Sequence, residues 1–160
     1  SVASRGLGDV YKRQWLSRAQ WHPHARPPQG RLCPARMIFG VGIDLCDAGR
    51  LEKSLAKQSF LDHVFAPSEQ ALLASLGEKR RAETAAANFA AKEAFLKAAG
   101  TGLGGFAMPE LAVLRQKSGA PYFALTGAAA AWVREQGLTV HVSLTHERGL
   151  ANAIVLLEKE

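Results

Sequence analysis

Two carboxylates and a lysine have the residue types and spacing that most directly suggest chemistry. Glu93 and Lys97 are four residues apart in an alanine-rich segment, so a helix there presents both on one face. Asp44 directly follows a short apolar run and offers a second carboxylate at the end of a predicted strand. Magnesium takes one or two protein carboxylates and completes its shell with water and phosphate oxygens. The three residues therefore suggest a site for a phosphorylated ligand.

Spacing alone also allows simpler interpretations of the same residues. Glu93 and Lys97 can form an exposed ion pair on a solvated helix face, where such pairs are common and contribute little. Asp44 can be the N-cap of the helix that is predicted after it. The sequence by itself does not choose between these interpretations and a ligand site.

Two further motifs contain groups that can contact phosphates or bases. Residues 100–105 read Gly-Thr-Gly-Leu-Gly-Gly, but they follow a helix and precede Pro109. A dinucleotide-binding fingerprint follows a strand and opens a helix, so only a loop that approaches a ligand is predicted here. Ser143 and Thr145 share a strand face, and His146 ends that strand. They indicate either a polar strand edge or a hydroxyl and an imidazole that hold a phosphate or base.

The elements that must position these residues indicate an α+β fold. An apolar strand is predicted over 38–44 and a helix over 47–58, with Arg50, Lys53 and Lys57 on one helix face. Strands and helices are segregated rather than alternating, which favours α+β over a doubly wound sheet. Further elements are expected as helices over 67–77, 78–99 and 128–136, strands over 111–116, 122–125, 139–144 and 150–157, and a turn over 145–149.

Composition excludes several classes of protein. The 160 residues suit one domain, and no apolar run approaches the roughly 18 residues of a membrane span. Two cysteines exclude a disulfide scaffold and favour a reducing compartment, so a cytoplasmic location is expected. The net charge is +6, and the seven basic residues and one acid of residues 1–36 account for all of it. Residues 37–160 are therefore neutral, which argues against a nucleic-acid-binding domain.

Residues 1–36 are expected to be a disordered leader, because they hold four prolines and no periodic apolar pattern. Residues 9–14 (Asp-Val-Tyr-Lys-Arg-Gln) are similar to the translation of a transposon end used to prepare sequencing libraries. This similarity predicts that the leader is artefactual and that Met37 is the natural start. An arginine-rich organelle transit peptide is the alternative. The functional domain is expected over residues 37–160.

Three motifs together resemble the holo-(acyl-carrier-protein) synthases, the phosphopantetheinyl transferases of fatty-acid synthesis. The motifs are Gly-Val-Gly-Ile-Asp at 40–44, Phe-Ala-Ala-Lys-Glu-Ala-Phe-Leu-Lys at 89–97 with Gly-Thr-Gly at 100–102, and Val-Ser-Leu-Thr-His at 142–146. They occur in the family's order and at about its spacing. The resemblance implies the family's fold, a small antiparallel sheet packed with a long central helix, as a homotrimer with active sites between subunits.

The resemblance also implies an activity. The family transfers 4′-phosphopantetheine from coenzyme A to a serine of apo acyl carrier protein and releases adenosine 3′,5′-bisphosphate. Asp44 and Glu93 match its magnesium ligands, and Lys92 and Lys97 match lysines near the pyrophosphate. Because phosphoryl transfer needs chiefly positioning and charge neutralisation, Lys97 is expected to offset developing charge and Glu93 to accept the serine proton.

Other matching positions concern the cofactor and the carrier protein. The positions that match contacts to the nucleotide part of coenzyme A are Gly100, Ser143 and His146. The positions that match basic residues meeting the acidic carrier protein are Arg50, Lys53 and Lys57. No nucleic acid or membrane partner is expected.

Two departures from the family pattern remove positive charge. Asn88 stands where the family usually has arginine, and Ala120 stands where it usually has lysine, with Lys117 as a nearby cation that can substitute. The alternatives to the transferase are an inactive or differently specific magnesium-dependent phosphoryl-transfer homologue, or a nucleic-acid binder that uses the basic leader.

Overall fold

The computed structural model describes residues 36–159, and its helices and strands have the predicted α+β arrangement. Apart from Arg36, the expected leader lies outside these described residues. The first half of the domain consists of β1 (Met37–Asp47), α1 (Ala48–Leu55), α2 (Gln58–Val64), α3 (Pro67–Ala74) and the long helix α4 (Glu78–Ala99). The second half consists of a 3₁₀ turn (Met108–Glu110), β2 (Leu111–Arg115), β3 (Pro121–Leu125), α5 (Gly127–Glu135), β4 (Leu138–Glu147) and β5 (Leu150–Lys159).

A three-stranded antiparallel sheet in the order β1-β5-β4 packs on α4, and β2 and β3 form a separate hairpin. On β5, Ala153 pairs with Asp44 on one side and with Leu144 on the other. The buried side chains of β5 alternate with more exposed ones, so the sheet has two distinct faces. We call the face against α4 the inner face and the opposite one the outer face.

Two glycines let β1 approach α4 more closely than side chains would permit. A Cβ atom on Gly40 would overlap the carbonyl oxygen of Ala98, and a Cβ atom on Gly42 would overlap that of Ala94. Ala94 is fully buried in turn. The strand and the helix are therefore in backbone contact, and the glycines of the first motif are required by packing.

Phe95 anchors the core on the sheet side of α4. This fully buried ring packs against the rings of Phe106, Phe123 and Trp132, with centroids 5.3–6.5 Å apart. Edge-on and tilted contacts of this kind add to the stability that burial provides. No helix among residues 36–159 is long and apolar enough to cross a membrane.

The structure corrects several predicted boundaries. The strand expected over 38–44 runs on to Asp47, and the helix expected over 67–77 ends at Ala74. The helix expected over 47–58 ends at Leu55, and Lys57 is instead the N-cap of α2, which the sequence did not suggest. The turn expected over 145–149 is only two residues long, because Arg148 and Gly149 both adopt positive φ angles, 51° and 80°. Such a two-residue turn matches strand twist and lets β4 continue to Glu147.

Replacement of Gly42 by alanine should destabilise the domain by about 3 kcal/mol, the upper range for overpacking, because the Cβ meets backbone atoms that cannot move aside. Gly104→Ala is the matched control, since a Cβ there meets no atom within 4 Å. Urea denaturation of both variants measures the effect. Equal stability of the two variants would contradict the proposed strand–helix contact.

Candidate active site

A cleft between β1, α1 and α4 brings the two predicted metal ligands together. Its volume is about 430 Å³, and we call it the acidic cleft. Asp44 enters it from the inner face of β1 and Glu93 from the middle of α4. Its lining residues are Asp44, Leu45, Cys46, Asp47, Arg50, Leu51, Ser54, Phe89 and Glu93. The backbone contact at Gly42 thus determines how closely the two carboxylates approach.

Lys97 is the cation beside this pair of carboxylates. Its Nζ donates to Asp44 Oδ1 at 2.6 Å and to the carbonyl oxygen of Ile43 at 3.1 Å. Burial, followed by the nearby Asp44 carboxylate, raises the pKa of Glu93, and the hydrogen bond to Asp44 raises the pKa of Lys97. Two carboxylates beside one ammonium leave a negative charge that attracts a further cation.

Both simpler interpretations of these residues are wrong. Lys97 pairs with Asp44 across to β1, and the described residues contain no ion pair between Lys97 and Glu93. The N-cap of α1 is Asp47, whose Oδ1 accepts a hydrogen bond from the Gly49 N–H at 2.8 Å. Asp44 is therefore free of a capping role and faces α4.

The donor set of the acidic cleft fits magnesium. Within residues 36–159, no group of three or more His, Cys, Asp or Glu side chains is placed to hold a metal ion. Magnesium needs only one or two carboxylates when substrate phosphates complete its shell, so Asp44 and Glu93 suffice. Burial and the adjacent carboxylates raise the pKa of the Cys46 thiol to about 11, and magnesium prefers oxygen to sulfur, so the two carboxylates are the candidate ligands.

A second cleft lies where α4, the β2–β3 hairpin and the end of β4 meet. Its volume is about 300 Å³, and we call it the basic cleft because two guanidinium groups face one carboxylate there. The lining residues are Arg80, Glu83, Thr84, Ala87, Arg115, Gly119, Pro121, Leu144 and His146. Of the residues expected to contact coenzyme A, His146 is the one that this cleft contains.

Ser143 and Gly100 lie elsewhere. Ser143 is exposed on the outer face, whereas His146, three residues on, belongs to the inner face by strand alternation. Gly100 ends α4 in the left-handed region with φ of 69°, and its N–H donates to the carbonyl oxygens of Leu96 and Lys97. The contacts expected between these two residues and coenzyme A remain predictions.

Lys92 occupies a different environment from the one expected. It is fully buried, and its ammonium donates to Glu69 Oε2 at 2.6 Å, to the Val64 carbonyl at 2.7 Å and to the Met108 carbonyl at 2.9 Å. These three acceptors use all three N–H bonds. Burial lowers the pKa of Lys92, and Glu69 opposes that effect. In this structure, Lys92 links α4 to its neighbours rather than facing the acidic cleft.

Lys92 belongs to a buried polar network that the sequence patterns did not predict. Its other members are Glu69, Asn88 and Arg115. Glu69 is fully buried and also accepts hydrogen bonds from the N–H groups of Ala66 and Val113, at 2.9 and 3.0 Å. A glutamate just after a proline at a helix start is a capping signal that could have indicated Glu69. No local pattern indicates Arg115, which ends an ordinary strand.

The basic residues expected to meet a carrier protein are all exposed. Arg50 and Lys53 project from α1, and no ion pair within residues 36–159 involves either one. Lys57 precedes α2 and so does not share their helix face, which corrects the predicted arrangement. Arg50 also lines the acidic cleft, so part of this basic surface adjoins the carboxylate pair.

Comparison with known proteins identifies the family. The family model of the 4′-phosphopantetheinyl transferase superfamily matches residues 40–151. This chain belongs to that superfamily, a class of transferase enzymes, and the resemblance noted in the sequence is confirmed. The match contains most of β1, the long helix and all of β4, which carry the three motifs.

Curated relatives make the resemblance more specific. A holo-(acyl-carrier-protein) synthase of Treponema denticola is 42% identical over 123 residues, which cover 76% of this chain and 99% of the relative. One of Syntrophus aciditrophicus is 45% identical over 129 residues, covering 76% and 97%.

Solved structures of holo-(acyl-carrier-protein) synthases are also similar to this chain. A holo-(acyl-carrier-protein) synthase of Bacillus anthracis in complex with CoA (3′,5′-ADP) is 32% identical with a TM-score of 0.67, covering 78% of this chain and 99% of that one. That of Neisseria meningitidis is 31% identical with a TM-score of 0.70, covering 77% and 100%.

Replacement of Lys92 by methionine should destabilise the domain by about 3 kcal/mol, because it leaves the buried Glu69 carboxylate without its cation. The double variant Lys92→Met/Glu69→Gln should recover part of this loss, since it removes the unpaired charge as well. Urea denaturation of wild type, both single variants and the double variant measures the coupling. Strictly additive losses would contradict an ion pair that acts as a unit.

Proposed function

We propose that this chain transfers 4′-phosphopantetheine from coenzyme A to a serine of apo acyl carrier protein in a magnesium-dependent reaction, with adenosine 3′,5′-bisphosphate as the second product. The observation that carries this proposal is the acidic cleft, where Asp44 and Glu93 lie beside Lys97. Such a group of charges suits a metal-bound pyrophosphate. Coenzyme A bound to relatives of the same superfamily supports the cofactor. We place the reaction in fatty-acid synthesis in the cytoplasm.

The residues of the acidic cleft divide the chemistry between them. The serine oxygen forms a bond to the phosphorus that carries pantetheine, and the bond from that phosphorus to the bridging oxygen of the pyrophosphate breaks. Glu93 takes the serine proton. Lys97 offsets negative charge on the leaving phosphate. Magnesium held by Asp44 and Glu93 supplies charge neutralisation at the pyrophosphate when bound.

The basic cleft suits the nucleotide part of coenzyme A. Its two guanidinium groups, the His146 imidazole and the Thr84 hydroxyl offer donors to phosphate oxygens. Helix α4 contributes residues to both clefts, on different sides of the helix. Arg80 and Arg115 thus supply positive charge in a chain that has the neutral residues Asn88 and Ala120 where the family usually has basic ones.

We propose a homotrimer whose subunits share their active sites. The outer face of β1 exposes Val41, Ile43 and Leu45 to 52%, 58% and 58% of their surface, next to Ile154 of β5. A contiguous apolar surface of this kind is typical of an interface between subunits. Ser143 lies on the same outer face, so a second copy that covers this face contacts Ser143. His146 lies on the opposite, inner face of the sheet.

Arg50 and Lys53 are proposed to receive the carrier protein. Both are exposed on α1, and Arg50 lies at the border of the acidic cleft. An acidic partner that docks there places its serine near Glu93. Charges of this kind accelerate the encounter and select the partner more than they strengthen the complex.

Mass spectrometry of an apo acyl carrier protein, incubated with this chain, coenzyme A and magnesium, tests the proposed function. The carrier should gain one phosphopantetheine, and a chelator should prevent the gain.

Asp44→Ala and Glu93→Ala should each abolish turnover while the melting temperature stays near that of wild type. Glu135→Ala, which removes an exposed carboxylate of α5, is the control. Wild-type activity in either cleft variant would exclude the assigned site, and no transfer to several carriers would exclude the function.

Charge reversal at Arg50 and Lys53 should raise KM for the carrier protein about tenfold and raise KM for coenzyme A less, because Lys53 lies outside the acidic cleft and Arg50 only borders it. Added salt should reduce the wild-type rate at low carrier concentration by screening the same charges. Steady-state kinetics with each substrate varied in turn measures both effects. Arg134→Glu, at the exposed end of α5, is the matched control. An unchanged carrier KM in the double variant would place docking elsewhere.

A further inference from the structure

The Asn88 amide has one possible orientation in its buried network. Asn88 is fully buried, and its Nδ2 donates to Glu69 Oε1 at 3.0 Å and to the Val113 carbonyl at 2.9 Å. Its Oδ1 accepts a hydrogen bond from Arg115 Nη2 at 3.0 Å. The reverse orientation would place the amide oxygen against a carboxylate and the NH₂ group against a guanidinium. Asn88 must therefore present an oxygen to Arg115.

Arg115 carries a positive charge that the network leaves without a carboxylate partner. Its guanidinium donates only to neutral oxygens, Asn88 Oδ1 and the Leu114 carbonyl at 3.2 Å, and the described residues contain no ion pair with it. The one buried carboxylate nearby, Glu69, is already bonded to Lys92 at 2.6 Å. Glu83 lines the same cleft but forms no ion pair with Arg115 among the described residues, so an anion that entered the cleft would stabilise this half-buried guanidinium.

A neutral side chain at position 88 preserves this charge. An aspartate there would hold Arg115 equally well but would neutralise it, whereas an amide oxygen orients the guanidinium without cancelling its charge. Lys117, the other cation close in sequence, does not line the basic cleft. Arg115 is the residue of the hairpin that delivers positive charge there.

We propose that Asn88 is a positioning residue that holds the Arg115 guanidinium toward the basic cleft, where Arg115 binds a phosphate group of coenzyme A. This inference rests on the proposed function. Asn88 acts only through Arg115 and does not touch the ligand. The pair is a specificity determinant on the cofactor side and leaves the transfer step to the acidic cleft.

Calorimetric titration of the full chain with coenzyme A tests the inference. Arg115→Gln should weaken binding about tenfold to a hundredfold, the loss of a hydrogen bond with a charged donor. Asn88→Ala should weaken binding about threefold to tenfold, because the guanidinium is no longer oriented. In the double variant, binding should be no weaker than with Arg115→Gln alone, since Asn88 acts through Arg115. In kinetics, KM for coenzyme A should rise while kcat stays within about twofold.

Control variants separate positioning from folding. Lys117→Gln removes the same charge from the same hairpin and should leave binding within about twofold. Asn88→Ser, with a side chain one bond shorter, retains a polar group in the network and should weaken binding as Asn88→Ala does. Melting temperatures identify any variant that binds weakly because it is unfolded. If Asn88→Ala proves to be unfolded, coenzyme A binding by Asn88→Ser tests the positioning role in its place.

The remaining outcomes overturn the inference in distinguishable ways. Unchanged binding in Arg115→Gln, or losses for Asn88 and Arg115 that add in the double variant, would exclude positioning while wild-type transfer to the carrier protein keeps the proposed function intact. A wild-type chain that neither binds coenzyme A nor modifies any carrier would overturn both.

Discussion

The backbone contact between β1 and α4 is the constraint on which the site depends. Gly40 and Gly42 allow the strand to lie against the carbonyl oxygens of Ala98 and Ala94, where any side chain would force the two elements apart. This contact brings Asp44, two residues beyond Gly42, within reach of groups on α4. A Cβ atom at either glycine would push β1 away from α4 and so move Asp44 away from Lys97, its ion-pair partner at 2.6 Å. The packing of β1 on α4 therefore also determines how the charged side chains of the site are arranged.

Helix α4 performs different tasks on two of its sides. Asn88 and Lys92, one turn apart, are buried in the polar network, whereas Glu93 and Lys97 lie about 100° or more around the helix and face β1. The buried network restricts rotation of the helix about its axis, because all three N–H bonds of Lys92 and both N–H bonds of the Asn88 amide are used. A helix held in this way keeps Glu93 directed into the acidic cleft.

Local charge, rather than net charge, distinguishes the two clefts. Residues 37–160 have equal numbers of basic and acidic residues, yet the fold concentrates carboxylates at Asp44 and Glu93 and guanidinium groups at Arg80 and Arg115. A ligand that needs a cation at one point and donors to phosphate at another fits this separation. Net charge, which argues against nucleic-acid binding, contains no information on where the charges lie.

The sequence by itself determined the α+β class, the long helix and the family, because periodicity and motif spacing are local properties. It suggested a shared site for Asp44, Glu93 and Lys97 but left an ion pair and a helix cap open as alternatives, and the structure brought Asp44 and Lys97 together from 53 residues apart. Only the tertiary structure decided that Lys92 is enclosed by Glu69 and two backbone carbonyls, since those partners lie 16–28 residues away along the chain. It also placed Arg115, with no local signal, beside Asn88 from 27 residues away. Side-chain partners across such distances depend on how elements pack, and no short-range pattern records them.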